Sequence, residues 1–153
     1  MPLIAPSAIA ALERRLRKQI GGSVLFDDAA RGRYSALDLS PLSAPILVHG
    51  HCHQKAFGAM DSVLEVLGLI PAARPQLIAS SCCGMAGAFG YEAEHHAMSL
   101  RMGEGSLLPA IRAAGAATVV ADGTSCRRQI FDGTRREALH VAVLLDRQLK
   151  RPA

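Results

Sequence analysis

The stretch Ile46-Leu47-Val48-His49-Gly50-His51-Cys52-His53-Gln54-Lys55 decides how the rest of the chain is read. Its opening run is short, apolar and closed by a glycine, which is the pattern of a buried strand. Beyond it, Ala56, Met60, Val63, Leu64 and Leu67 recur at helical spacing, with Gly68 suited to the C-cap. The same alternation repeats downstream. Leu77-Ile78-Ala79-Ser80, after Pro75, reads as a second strand, and a glycine-rich turn then leads to helices over about 92–102 and 106–114. Ala117-Thr118-Val119-Val120-Ala121 reads as the third strand, and a closing helix over about 136–149 carries Ala138, Leu139, Ala142, Val143, Leu145 and Leu149.

Strands alternating with helices predict an α/β fold, a small three-layer domain on a short parallel sheet in the order βαβαβα. Ahead of it, Ile9, Leu12, Leu16 and Ile20 mark an amphipathic helix that stops at Gly21-Gly22, and residues 23–45 lose periodicity. The expected organisation is an N-terminal helix and extended arm over 1–44 and a cysteine-rich domain over 45–150.

At 153 residues, half of them hydrophobic, the chain can bury a core without staples. No run of roughly 18 apolar residues is present, and the N-terminus lacks the pattern of a signal peptide, so a cytoplasmic location is expected. The net charge of +4 comes from dispersed basic groups, with no Trp and only two Tyr for base stacking. No specific nucleic-acid partner is therefore expected. Docking of the basic groups on a membrane surface or an acidic partner fits them better.

Four cysteines in a cytoplasmic chain are not expected to pair as disulfides. In a parallel sheet, ligands collect beyond the carboxyl ends of the strands. Cys52 follows the first predicted strand by three residues, Cys82 and Cys83 come directly after the second, and Cys126 follows the third by five. All four thiols should meet at one edge, although their separations along the chain show no motif. The alternative is four inert buried cysteines, since free cysteine is among the most buried residue types.

Thiolates bind zinc or iron–sulfur clusters, and their charge needs nearby donors and cations. Gly84, Gly87 and Gly90 let backbone N–H groups approach sulfur, and Lys55, Arg127 and Arg128 offer positive charge. His51 and His53 flank Cys52 as ligands or supporting donors. His95 and His96 read as capping or surface residues, and His49 and His140 as structural. A thiolate nucleophile activated by a neighbouring histidine competes with this reading, but four thiols exceed what a nucleophile needs.

The segments His51-Cys52-His53-Gln54-Lys55, Ser80-Ser81-Cys82-Cys83-Gly84-Met85-Ala86-Gly87-Ala88-Phe89-Gly90 and Asp122-Gly123-Thr124-Ser125-Cys126-Arg127-Arg128-Gln129-Ile130 resemble the cysteine-rich CCG domain. That domain closes glycolate oxidase iron–sulfur subunits, heterodisulfide reductase B subunits and, in the nearest likeness, large FAD-linked D-2-hydroxy-acid dehydrogenases. The resemblance covers roughly residues 45–148. A second resemblance, over about 8–35, is to the opening of the same FAD-linked enzymes, whose intervening body is absent here.

The resemblance implies electron transfer through a cluster of the 4Fe–4S type held by Cys52, Cys82, Cys83 and Cys126, with His53 as a further ligand and Gly84, Gly87 and Arg127 around it. The family pattern ends in Cys-x-x-Cys, whereas Gln129 stands at the last position here, which leaves zinc or an oxygen ligand open as alternatives. FAD would belong to a partner or parent enzyme, because the chain has no glycine-rich dinucleotide fingerprint and should not oxidise a hydroxy acid alone. The implied partners are a flavin-containing dehydrogenase subunit or a second copy of the chain, with a quinone-linked acceptor at a membrane periphery. A structural zinc-binding docking domain and a metal-free thiol redox protein are the other two readings.

Overall fold

The computed structural model describes residues 38–150, and the expected N-terminal helix lies outside them. The central strand, β1 (Pro45–His49), pairs in parallel with β2 (Arg74–Leu77) on one side and with β3 (Thr118–Ala121) on the other. A two-residue strand, β4 (Ala138–Leu139), pairs in parallel with the outer side of β3, giving the order β2-β1-β3-β4. The fold is α/β with a parallel sheet, as read from the sequence, and the fourth strand is an addition.

Six α-helices are present among the described residues: α1 (Cys52–Ala56), α2 (Met60–Leu67), α3 (Ala93–Glu104), α4 (Leu107–Ala113), α5 (Thr124–Thr134) and α6 (Val141–Gln148). None is long and apolar enough to cross a membrane. Because side chains alternate along a strand, the sheet feeds two cores. Ile46, Val48, Val120 and Leu139 point to one face, where Met60 and Leu67 of α2 and Leu144 of α6 cover them. Leu47, Val119, Ala121 and Ala138 point to the other, against Leu107, Leu108 and Ile111 of α4 and Ile130 of α5. These two faces and the sheet between them are the three layers.

Four local features depart from the expected elements. The single helix expected after β1 is two, broken by Gly58 at φ +65°, so Ala56 lies exposed instead of facing the core. The second strand begins three residues before Leu77. Pro75 fits within it because β2 is an edge strand, where a missing N–H costs no ladder bond. The closing helix begins at Val141, and Ala138-Leu139 form β4 instead, drawn into the sheet by pairing with Val119 and Val120. Finally, α5 had no predicted counterpart. Its stretch is polar on average, and its apolar anchor is Ile130, fully buried.

Candidate metal and redox centre

The carboxyl ends of β1, β2 and β3 open into three loops, and all four cysteines line one cavity of about 470 Å³ there. His51, His53, Ala86, Gly87 and Ser125 complete its lining. Cys52 is the first residue of α1, capped by His51, whose Nδ1 accepts from the His53 N–H at 3.2 Å. Cys82 and Cys83 lie in the loop after β2, and Cys126 is in the first turn of α5.

The four thiols are not equivalent. Cys83 and Cys126 are buried, at 2% and 1% exposure, whereas Cys52 is exposed and Cys82 half-buried. Cys83 neighbours Cys126, and Cys52 neighbours Cys82, so the cavity holds an inner and an outer pair. Within the inner pair the Cys126 contact holds the Cys83 thiol well below the usual thiol range, to about 4, with further help from His49 and the Met85 backbone against the cost of burial. The same contact, together with burial, pushes the Cys126 thiol up. The contact thus favours one thiolate and one thiol within the pair. Cys52 is pushed up by burial and by Cys82, while Lys55 opposes this.

A residue read as structural stands beside the inner pair. His49 is 1% exposed, and its ring nitrogen comes within 4.8 Å of the sulfurs of Cys83 and Cys126. Its position as the last residue of a central strand was the available signal, since that is where the sheet presents side chains to a ligand.

The loops are held by polar clamps. Lys55 Nζ donates to the carbonyl oxygens of Ser80 and Ser81, at 2.5 and 2.7 Å, tying α1 to the segment that carries Cys82. Gln54 Nε2 donates to Asp122 Oδ2 at 2.6 Å, and Asp122 Oδ1 accepts from the Val141 N–H at 2.9 Å, which links the loops after β1, β3 and β4. Arg127 donates to the carbonyls of Ala121 and Asp122, at 3.0 and 2.6 Å, and to Thr124 Oγ1, so its charge braces the turn into α5.

Gly84 donates its N–H to Cys82 Sγ at 3.3 Å, and its φ of +94° is open to glycine at little cost. Gly87, at φ +69°, borders the cavity with no neighbour where a Cβ would stand. Gly123 faces inward: a Cβ there would lie 2.9 Å from Cys126 Sγ and 2.5 Å from the His51 ring. Gln129, one turn beyond Cys126, is buried away from the cavity lining, and its amide donates to the carbonyls of Cys83 and Ser99 at 3.1 and 3.0 Å. His53 is exposed and packs edge-on to His51 at 5.2 Å between ring centres. His95 stacks on Phe89, His96 contacts the Gly90 carbonyl and His140 caps α6, all outside the cavity lining.

Comparison with known proteins finds one of the subunits of anaerobic glycerol-3-phosphate dehydrogenase from Escherichia coli strain K12, and its counterpart from Escherichia coli O157:H7, each 34% identical over 113 residues. The matched stretch is 74% of this chain but 28% of each relative, so the chain spans little more than a quarter of their length. No family model and no solved structure matches the chain. The similarity is therefore to part of a dehydrogenase subunit, and it does not extend to the hydroxy-acid dehydrogenases in particular.

Proposed function

We propose that the chain is an electron-transfer module of the CCG type, holding an iron–sulfur cluster through Cys52, Cys82, Cys83 and Cys126 and passing electrons from a flavin-containing dehydrogenase subunit to a quinone-linked acceptor. The observation that carries this reading is the convergence of four thiols from three separate loops on one cavity. Soft sulfur donors suit iron–sulfur or zinc chemistry, and backbone N–H groups such as that of Gly84 offset thiolate charge. Similarity to a dehydrogenase subunit supports the redox assignment over a purely structural zinc site. In this reading residues 45–150 are the module, 1–44 an added helix and arm, and the setting is cytoplasmic. The hydroxy acid, or the glycerol 3-phosphate of the relatives' name, is oxidised on the partner.

The donor set fits such a group. The cavity gives each thiol access to a common centre, and His49 Nε2 is a buried polar atom with no partner beside it. Purification of the full chain without oxygen, followed by iron, sulfide and zinc analysis, tests the reading. Brown protein with stoichiometric iron and sulfide is expected. Colourless protein holding one zinc would establish the docking-domain reading instead, and metal-free protein would overturn both.

A further inference from the structure

His49 is the buried residue whose surroundings leave one job undone. It follows Leu47 by two positions on β1, so strand alternation turns it toward the face that holds Cys83 and Cys126. Its Nδ1 lies 2.9 Å from Ser80 Oγ, while Nε2 has no hydrogen-bond partner, alone among the buried side-chain polar atoms of the described residues. An imidazole nitrogen buried without a partner costs free energy comparable to a lost hydrogen bond. That cost disappears when the lone pair on Nε2 is given to a cation.

We propose that His49 Nε2 is a metal ligand, forming with Cys83 and Cys126 the inner, nitrogen-and-sulfur corner of the centre, while Cys52 and Cys82 close it from the solvent side. This rests on the reading of the cavity as a metal centre and adds to it a ligand that is not a thiolate. Three donor atoms, from a strand, a loop and a helix, all buried and all within 4.8 Å of one another, make the corner. Ser80 supplies the partner that a ligating histidine requires: with the Nδ1 proton donated to the hydroxyl, Nε2 is left as the acceptor and the ring is fixed in orientation. The flanking histidines line the cavity and His49 does not, but burial and donor distance favour His49. His51 Nδ1 is already taken by the His53 backbone, and His53 is exposed. A neutral imidazole adds a donor to the four thiolates without adding to their negative charge.

The test uses the full chain loaded with zinc in the absence of oxygen, read by X-ray absorption at the zinc edge and by competition with a chelator. A mixed shell is expected, with zinc–nitrogen scattering at about 2.0–2.1 Å beside zinc–sulfur at about 2.3 Å, and with the imidazole outer-shell signature. That signature should persist in the double variant His51→Gln/His53→Gln and vanish in His49→Gln. Ser80→Ala should keep the signature and weaken zinc binding roughly 10- to 100-fold. An all-sulfur shell in the unmodified chain, or loss of the signature in the double variant, overturns the assignment even if His49→Gln fails to fold. The two readings fail differently: a chain that takes up neither zinc nor iron refutes the metal centre itself, whereas uptake through sulfur alone refutes only His49.

Discussion

Gln129 Nε2 donates to the Cys83 carbonyl at 3.1 Å, joining the turn of α5 after Cys126 to the loop that carries the adjacent cysteines. The same amide reaches Ser99 on α3, so one side chain ties three segments together beneath the cavity. Gln129→Ala takes the partner from the buried Cys83 carbonyl, while the Ser99 carbonyl lies within helix α3, and a loss of about 1–3 kcal/mol is expected from the uncompensated desolvation. Urea denaturation of the metal-free chain measures it; a change below about 0.5 kcal/mol would show that water replaces the amide.

Gly84 gives a sharper case. A Cβ at this position would collide with the Ser99 carbonyl oxygen, with the backbone at φ +94°. Backbone against backbone cannot yield as a side chain can, so Gly84→Ala should cost more than about 3 kcal/mol from strain and displacement of α3 together. Thermal unfolding checks this, with Gly87→Ala as the comparison: Gly87 shares a positive φ but has open space, so about 1 kcal/mol is expected there.

Asp122 joins Gln54 to the Val141 N–H and has His140 Nε2 3.6 Å away. Asp122→Ala should destabilise the chain by about 1–3 kcal/mol. It should also loosen the loops around Cys52 and Cys126, seen as faster alkylation of Cys52 and Cys126 by a small thiol reagent in the metal-free protein. Unchanged alkylation rates would show that Lys55 and Arg127 hold the loops without it.

In the metal-free chain the inner pair makes stability depend on pH. Cys83 has a folded-state pKa of about 4, below the ordinary thiol value of 9.0. A group depressed in this way contributes stability that is complete above the unfolded value and lost as pH falls through the folded one. Stability should therefore rise across roughly pH 5 to 8, with one thiolate detectable by its ultraviolet absorbance throughout that window. Above the unfolded thiol range the raised pKa of Cys126 acts in the opposite direction. Cys83→Ser should remove the thiolate signal and flatten the rise; a slope that survives the substitution assigns it elsewhere.

Much of this was legible locally. Strand and helix alternation is written in hydrophobic periodicity, so the parallel sheet and the gathering of Cys52, Cys82, Cys83 and Cys126 at its carboxyl edge follow from the order of elements alone. What periodicity does not carry is pairing between distant segments. Ala138-Leu139 reads as helix because a two-residue strand has no period of its own, and β3 alone makes it a strand. The polar stretch of α5 hides a helix held by one buried face.

The chain's residues by themselves determined that four thiols share one site, because all strands of a parallel sheet point the same way. Only the tertiary structure decided that the site has an inner and an outer half, that Gln129 braces the loop from outside the cavity, and that His49 faces Cys83 and Cys126. Burial, strand alternation and loop clamping set those distinctions, and each depends on which face of the sheet a neighbouring helix covers.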